Sequence, residues 1–148
     1  MGRASFCVWG WAWLACWGMA SCASESEPRA PRLAPNQPNG NSALASAMVA
    51  MDGQLQATLT AVMADPDHSW EGRRLVEHDL LGLDPTDDSM INGHYLGHAP
   101  LYALAVAQFN AHPSADHFNA VVESCTSCHL GTCPGPLDRI AKRRVSAE

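Results

Sequence analysis

Cys125-Thr126-Ser127-Cys128-His129 gathers two thiols and an imidazole within one short stretch. On a helix, positions three apart lie on one face, a turn apart. Two thiols at that spacing can add across the two vinyl groups of one haem, and the imidazole that follows can turn onto the iron. Cys-x-x-Cys-His is the attachment signature for c-type haem. Two other chemistries use the same residue types. Zinc could take Cys125, Cys128, His129 and Cys133 as four ligands, although adjacent Cys128 and His129 make a cramped chelate and structural zinc sites usually pair two separated knuckles. A thioredoxin-like dithiol needs a βαβ context, and the sequence offers none.

The elements that must carry these residues read as helices. Leu44, Met48, Met51, Leu55, Leu59 and Val62 recur at three- and four-residue steps, which predicts one apolar stripe on a first helix. Ser42 is its N-cap, and Asp65-Pro66-Asp67 ends it. A second helix is expected over His68–Leu83, with Trp70, Val76, Leu80 and Leu83 on its apolar side. A third is expected from Asp88 or Ser89 towards Asn110, kinked or shortened from the front by Pro100. Pro113 and Ser114 open a fourth, where Phe118, Val121, Val122, Cys125, Cys128 and His129 share a face before "CPGPL" stops it. The fold class expected is all-α, a four-helix bundle. Lys142 to Arg144 suit the negative end of a further helical turn, should one resume after Pro136.

The first 22 residues differ from the rest. Arg3 precedes the apolar run "FCVWGWAWLACWGMA", which is short for a bilayer span of about 20 residues and has the length of a signal-peptide core. Met19-Ala20-Ser21-Cys22 resembles a bacterial lipobox, with Met19 where leucine is usual. That resemblance implies acylation of Cys22, an anchor at a membrane face and a mature chain on the periplasmic side. The alternative is cleavage after Ala23 and a free periplasmic protein. Residues 23–41 are rich in Pro, Ser and Asn and read as a linker, leaving 42–148 as one domain. Cys7 and Cys16 leave with the signal. The three cysteines left besides Cys22 are an odd count, a poor disulfide framework. Cys133 stays a free thiol or pairs with another molecule.

A helical bundle with Cys-x-x-Cys-His on its last helix resembles the cytochrome c′ family and its low-spin class II cytochrome c relatives. The likeness covers about residues 42 to 131, and Cys125-Thr126-Ser127-Cys128-His129 is its one sharp motif. It implies an up-and-down four-helix bundle with a single covalent haem c on the last helix. Cys125 and Cys128 then match the thioether cysteines, and His129 the axial ligand. It also implies that the first helix crosses the other face of the iron. Met51 falls nearest the family's distal position, with Met48 one turn earlier as the alternative and Met63 a distant third. Cys133 and "PGPLDRI" extend this chain past the family's usual end. Relatives often form homodimers through helices one and two.

Composition narrows the rest. Formal net charge is -6 and Lys142 is the single lysine beside eight arginines, so no basic stripe invites nucleic acid. Arg73 and Arg74, or Arg139 and Arg143, could fork onto haem propionates or simply be solvated. His94 and His98 form an i, i+4 pair that could supply an axial ligand, whereas His68, His78, His112 and His117 read as surface residues. The expected protein is no enzyme. It is a periplasmic, lipid-anchored electron-transport cytochrome c that passes single electrons between redox partner proteins. The alternatives are a five-coordinate protein binding nitric oxide or carbon monoxide, and a zinc-stabilised structural lipoprotein.

Overall fold

The computed structural model describes residues 41–146, and every regular element within them is helical. Helix α1 runs over Ala43–Met63, α2 over Gly93–Ala111, α3 over Ala115–Gly131 and a short α4 over Leu137–Ala141. Single 3-10 turns occupy Leu80–Gly82 and Asp88–Met90. The all-α expectation holds for these residues. The signal-like segment 1–22, Cys22 and the linker up to residue 40 lie outside them. No helix among the described residues is long and apolar enough to cross a membrane.

Helix α1 starts and stops as its sequence dictates. The Ser42 hydroxyl accepts from the Ala45 amide at 3.1 Å, and the Leu44 amide donates to the Asp84 carbonyl at 3.0 Å, so two first-turn donors are satisfied. Leu44, Met51, Leu55 and Val62 are buried and Met48 and Leu59 half-buried, which is the stripe read from the sequence. Asn92 caps α2 and Ser114 caps α3 in the same way. Helix α2 runs through Pro100 without a break. The proline sits on the exposed side, where water can take the carbonyl left without its usual donor.

His112–Ser114 folds α2 back onto α3, and these two helices pack backbone against backbone. Phe109 of α2, Phe118 of α3 and Trp70 form an aromatic cluster with ring centroids 5.1 to 6.1 Å apart. That cluster lies at the start of α3. His129 is eleven residues further along it, roughly 16 Å at the helical rise. Helix α1 stands further off and meets the pair through side chains, Leu44, Met51 and Leu55 joining the shared core.

The expected helix over His68–Leu83 does not form. His68 and Gly72 take positive φ, at 48° and 71°, and the chain from residue 73 to 79 runs without regular structure along α1 and α2. Side chains from the flanking helices hold its backbone instead. Asn110 accepts from the Leu75 amide at 2.8 Å and donates to the Leu75 carbonyl at 2.9 Å, and Gln54 accepts from the Val76 amide at 2.8 Å. The inward residue is therefore Leu75, at 5% exposure, while Val76, which helical spacing would bury, is 61% exposed. Leu80 and Trp70 still face the core, so periodicity found the apolar residues and misassigned their period.

Asn110→Ala removes both partners of the Leu75 peptide group. It is expected to cost about 1–3 kcal/mol in urea unfolding, with loss of hydrogen-exchange protection at Leu75. An unchanged midpoint would show that the segment is not held by this side chain.

Candidate haem site

Helix α3 carries the motif on its last turns. Cys128 and His129 are buried and Cys125 is half-buried, so all three face inward as their spacing requires. The helix stops at Gly131 because Pro134 disfavours helical geometry at Cys133. The turn that results brings the Cys133 carbonyl back to His129, whose Nδ1 donates to it at 2.9 Å. The Cys133 sulfur lies 3.2 Å from the same nitrogen and is the weaker acceptor of the two. With Nδ1 carrying the proton, Nε2 carries the lone pair, the arrangement by which a histidine is oriented as a metal ligand.

His129 lines a cleft between α1 and α3. Three adjoining cavities share His129 and Met48 as walls. The largest has a volume of about 230 Å³, and Val49, Met90, Tyr95, Cys128 and Pro136 are among its walls. The two smaller ones add Met51, Cys125 and, from α2, Tyr102 and His98. Their lining is almost wholly apolar. The structure thus brings Met48 and Met51 to the same cleft as Cys125, Cys128 and His129. Met63 is half exposed near the far end of α1 and takes no part.

The histidine pair on α2 is divided by its surroundings. His94 donates from Nε2 to the Ser127 carbonyl at 2.8 Å and ties α2 to the end of α3. A Cβ at Gly131 would stand 2.5 Å from that ring, so glycine is needed there for the close approach. His98 stacks on His94 with centroids 3.9 Å apart and donates from Nδ1 to the His94 carbonyl, and it borders the cavity shared with Met51. Arg73 turns instead to Ala61 and Asp65, away from the cleft.

Burial governs the thiols. Desolvation, with a smaller contribution from Cys128, pushes Cys125 up to about 12, and burial likewise raises Cys128 and Cys133. No three His, Cys, Asp or Glu side chains among the described residues converge to hold a metal ion, and that includes the four once open to zinc.

The helical turn expected after Pro136 forms as α4, but its packing across the cleft was not legible in the sequence. Pro136, Arg139 and Ile140 of the returning tail line the cleft opposite α1. Arg143 then clamps Asp52 of α1 through two bonds, at 2.9 and 3.1 Å, and Asn119 holds the Val145 backbone through a further pair. The available signals were "CPGP", which turns the chain back, and the basic run Lys142 to Arg144, which suits the end of the helical turn that follows. Comparison with protein-family models, curated proteins and solved structures finds no match.

With the thiols free, neutral sulfur is favoured in the folded chain. Stability from Cys125 is fully present below the unfolded thiol's value of about 8.5 and is lost as pH rises towards about 12. The unfolding midpoint of the haem-free polypeptide is expected to fall across that window, and Cys125→Ala to flatten the decline. A midpoint independent of pH there would contradict the burial argument.

Proposed function

We propose that the chain is a mono-haem c-type cytochrome that carries single electrons, with Cys125 and Cys128 as the thioether residues and His129 as an axial ligand. The observation that carries this reading is the His129 Nδ1–H bond to the Cys133 carbonyl, which leaves Nε2 without a hydrogen-bond partner among the described residues, on a histidine that lines an apolar cleft together with both thiols. A five-residue motif can occur by chance. A motif whose histidine is already in the ligand tautomer, beside a cleft with two methionines opposite, is a more specific arrangement.

Haem held there would supply a one-electron ferric/ferrous couple. The polypeptide's part is to fix and screen it. Cys125 and Cys128 would set its edge along α3. Met51 would offer a thioether sulfur from α1, with Met48 as the alternative. Thioether ligation favours ferrous iron and raises the potential, as does an apolar wall. Methionine's three rotatable bonds let Met48 repack around an occupant. With two protein ligands on the iron, electron transfer is favoured over substrate chemistry, so no enzyme activity is assigned. On this reading the fold is a variant of the up-and-down bundle in which an extended run and a folded-back tail stand where a second long helix would be.

Localisation follows from the same chemistry. Haem is joined to Cys-x-x-Cys-His outside the bacterial cytoplasm, in keeping with the export-like segment and Cys22. The redox partners would therefore be periplasmic or membrane proteins.

The test is the mass and spectrum of native protein. A mass raised by one haem, lost in Cys125→Ala with Cys128→Ala, is expected. A low-spin spectrum with the weak red band of thioether-ligated ferric iron is expected, converting to high-spin in Met51→Ala. Conversion in Met48→Ala alone would move the sixth ligand to Met48. A high-spin native spectrum that shifts with carbon monoxide would replace electron transfer with gas binding, and a polypeptide of unmodified mass would end the haem reading.

A further inference from the structure

The geometry points to Arg139 as the residue that pairs with a carboxylate of the cleft's occupant, a haem propionate on the reading above, on which this inference rests. Among the described residues lining the three cavities, Arg139 is the one with a permanent positive charge, and it lines two of them. Asp52 is the one carboxylate. An apolar cleft with a guanidinium at its rim suits a ligand with an apolar body and an acidic edge.

The nearby ion pairs decide which arginine is available. Arg143 takes both oxygens of Asp52, at 2.9 and 3.1 Å, and adds Gln56 at 3.1 Å. Its side chain is 13% exposed, so it is committed to holding the tail on α1. Arg139 reaches Asp52 by Nε alone, at 3.4 Å, and its side chain is 52% exposed. Its two terminal nitrogens make no bond among the described residues, and that fork is the part which matches a carboxylate. Arg143 thus satisfies Asp52 and leaves Arg139 free for an anion. Arg139 lies in α4, in the extension beyond the motif, and Arg143 follows four positions later, just past the end of that helix, so adjoining positions supply the free fork and the clamp.

Arg139 is a positioning residue in this account, acting on the potential and seating of the group without touching its iron. A guanidinium beside a propionate neutralises a charge that would otherwise favour ferric iron. The experiment compares reduction potentials of haem-loaded Arg139→Gln, Arg139→Lys and Lys142→Gln. Lys142→Gln removes the same formal charge from an exposed neighbour. The expected result is a lower potential in Arg139→Gln, a shift several-fold larger than in Lys142→Gln, and substantial recovery in Arg139→Lys. Equal shifts in Arg139→Gln and Lys142→Gln, or none, would overturn the pairing while leaving the haem reading intact. Absence of the haem mass in native protein would overturn both, so the two failures are told apart.

Discussion

His129 donates to a carbonyl four positions further along the chain, and that short hydrogen bond sets the chemistry of the site. A free imidazole has two tautomers and rotates about two bonds. Bonded through Nδ1, it keeps one tautomer and one orientation, with Nε2 left for a metal. The bond forms where Pro134 disfavours helical geometry in the residue before it and the chain leaves α3 at Thr132 and doubles back. A helix continued past Gly131 would instead spend the Cys133 carbonyl on its own ladder. The proline therefore matters to the histidine although neither touches the other in sequence.

The return of the chain has a second consequence. Helices α2 and α3 pack closely, but α1 stands away from both, and the space between needs another wall. A long second helix could have filled it with side chains. The extended run over residues 73–79 is thinner and lies along the aromatic end, held by Asn110 and Gln54. The tail closes the other end with Pro136, Arg139 and Ile140. Two anchors fix it, the Asp52–Arg143 fork on α1 and the Asn119–Val145 pair on α3. The fork is charge-assisted and largely shielded from water, conditions in which an ion pair resists screening by salt.

Local signals in the sequence revealed those features that depend on local structure. The caps at Ser42 and Ser114, the stop at Asp65-Pro66 and the inward faces of α1 and α3 all follow from neighbours within a few residues. Cys125, Cys128, His129, Met48 and Met51 were found by the same local periodicity, together with a family resemblance for the methionines, and the structure brings all five to one cleft. What was not legible depended on distant partners. Leu75 faces inward because Asn110, thirty-five residues away, takes its amide and carbonyl. Arg143 and Asp52 are ninety-one residues apart, and nothing near either announces the other. The irregular run over residues 73–79 reads as helical in the sequence because Trp70, Leu80 and Leu83 fit a helical period, while the bonds that fix it come from distant Asn110 and Gln54.

Burial and reactivity pull against each other at the motif. A thiol adds to a vinyl group best as thiolate, and the folded site holds Cys125 neutral and half-hidden. Ionising it in place would put a charge among Met51, Leu55 and Ile140, where burial and the Asp52 carboxylate both disfavour it. On the proposed reading, the burial that disfavours the thiolate would also screen a thioether at Cys125 from water.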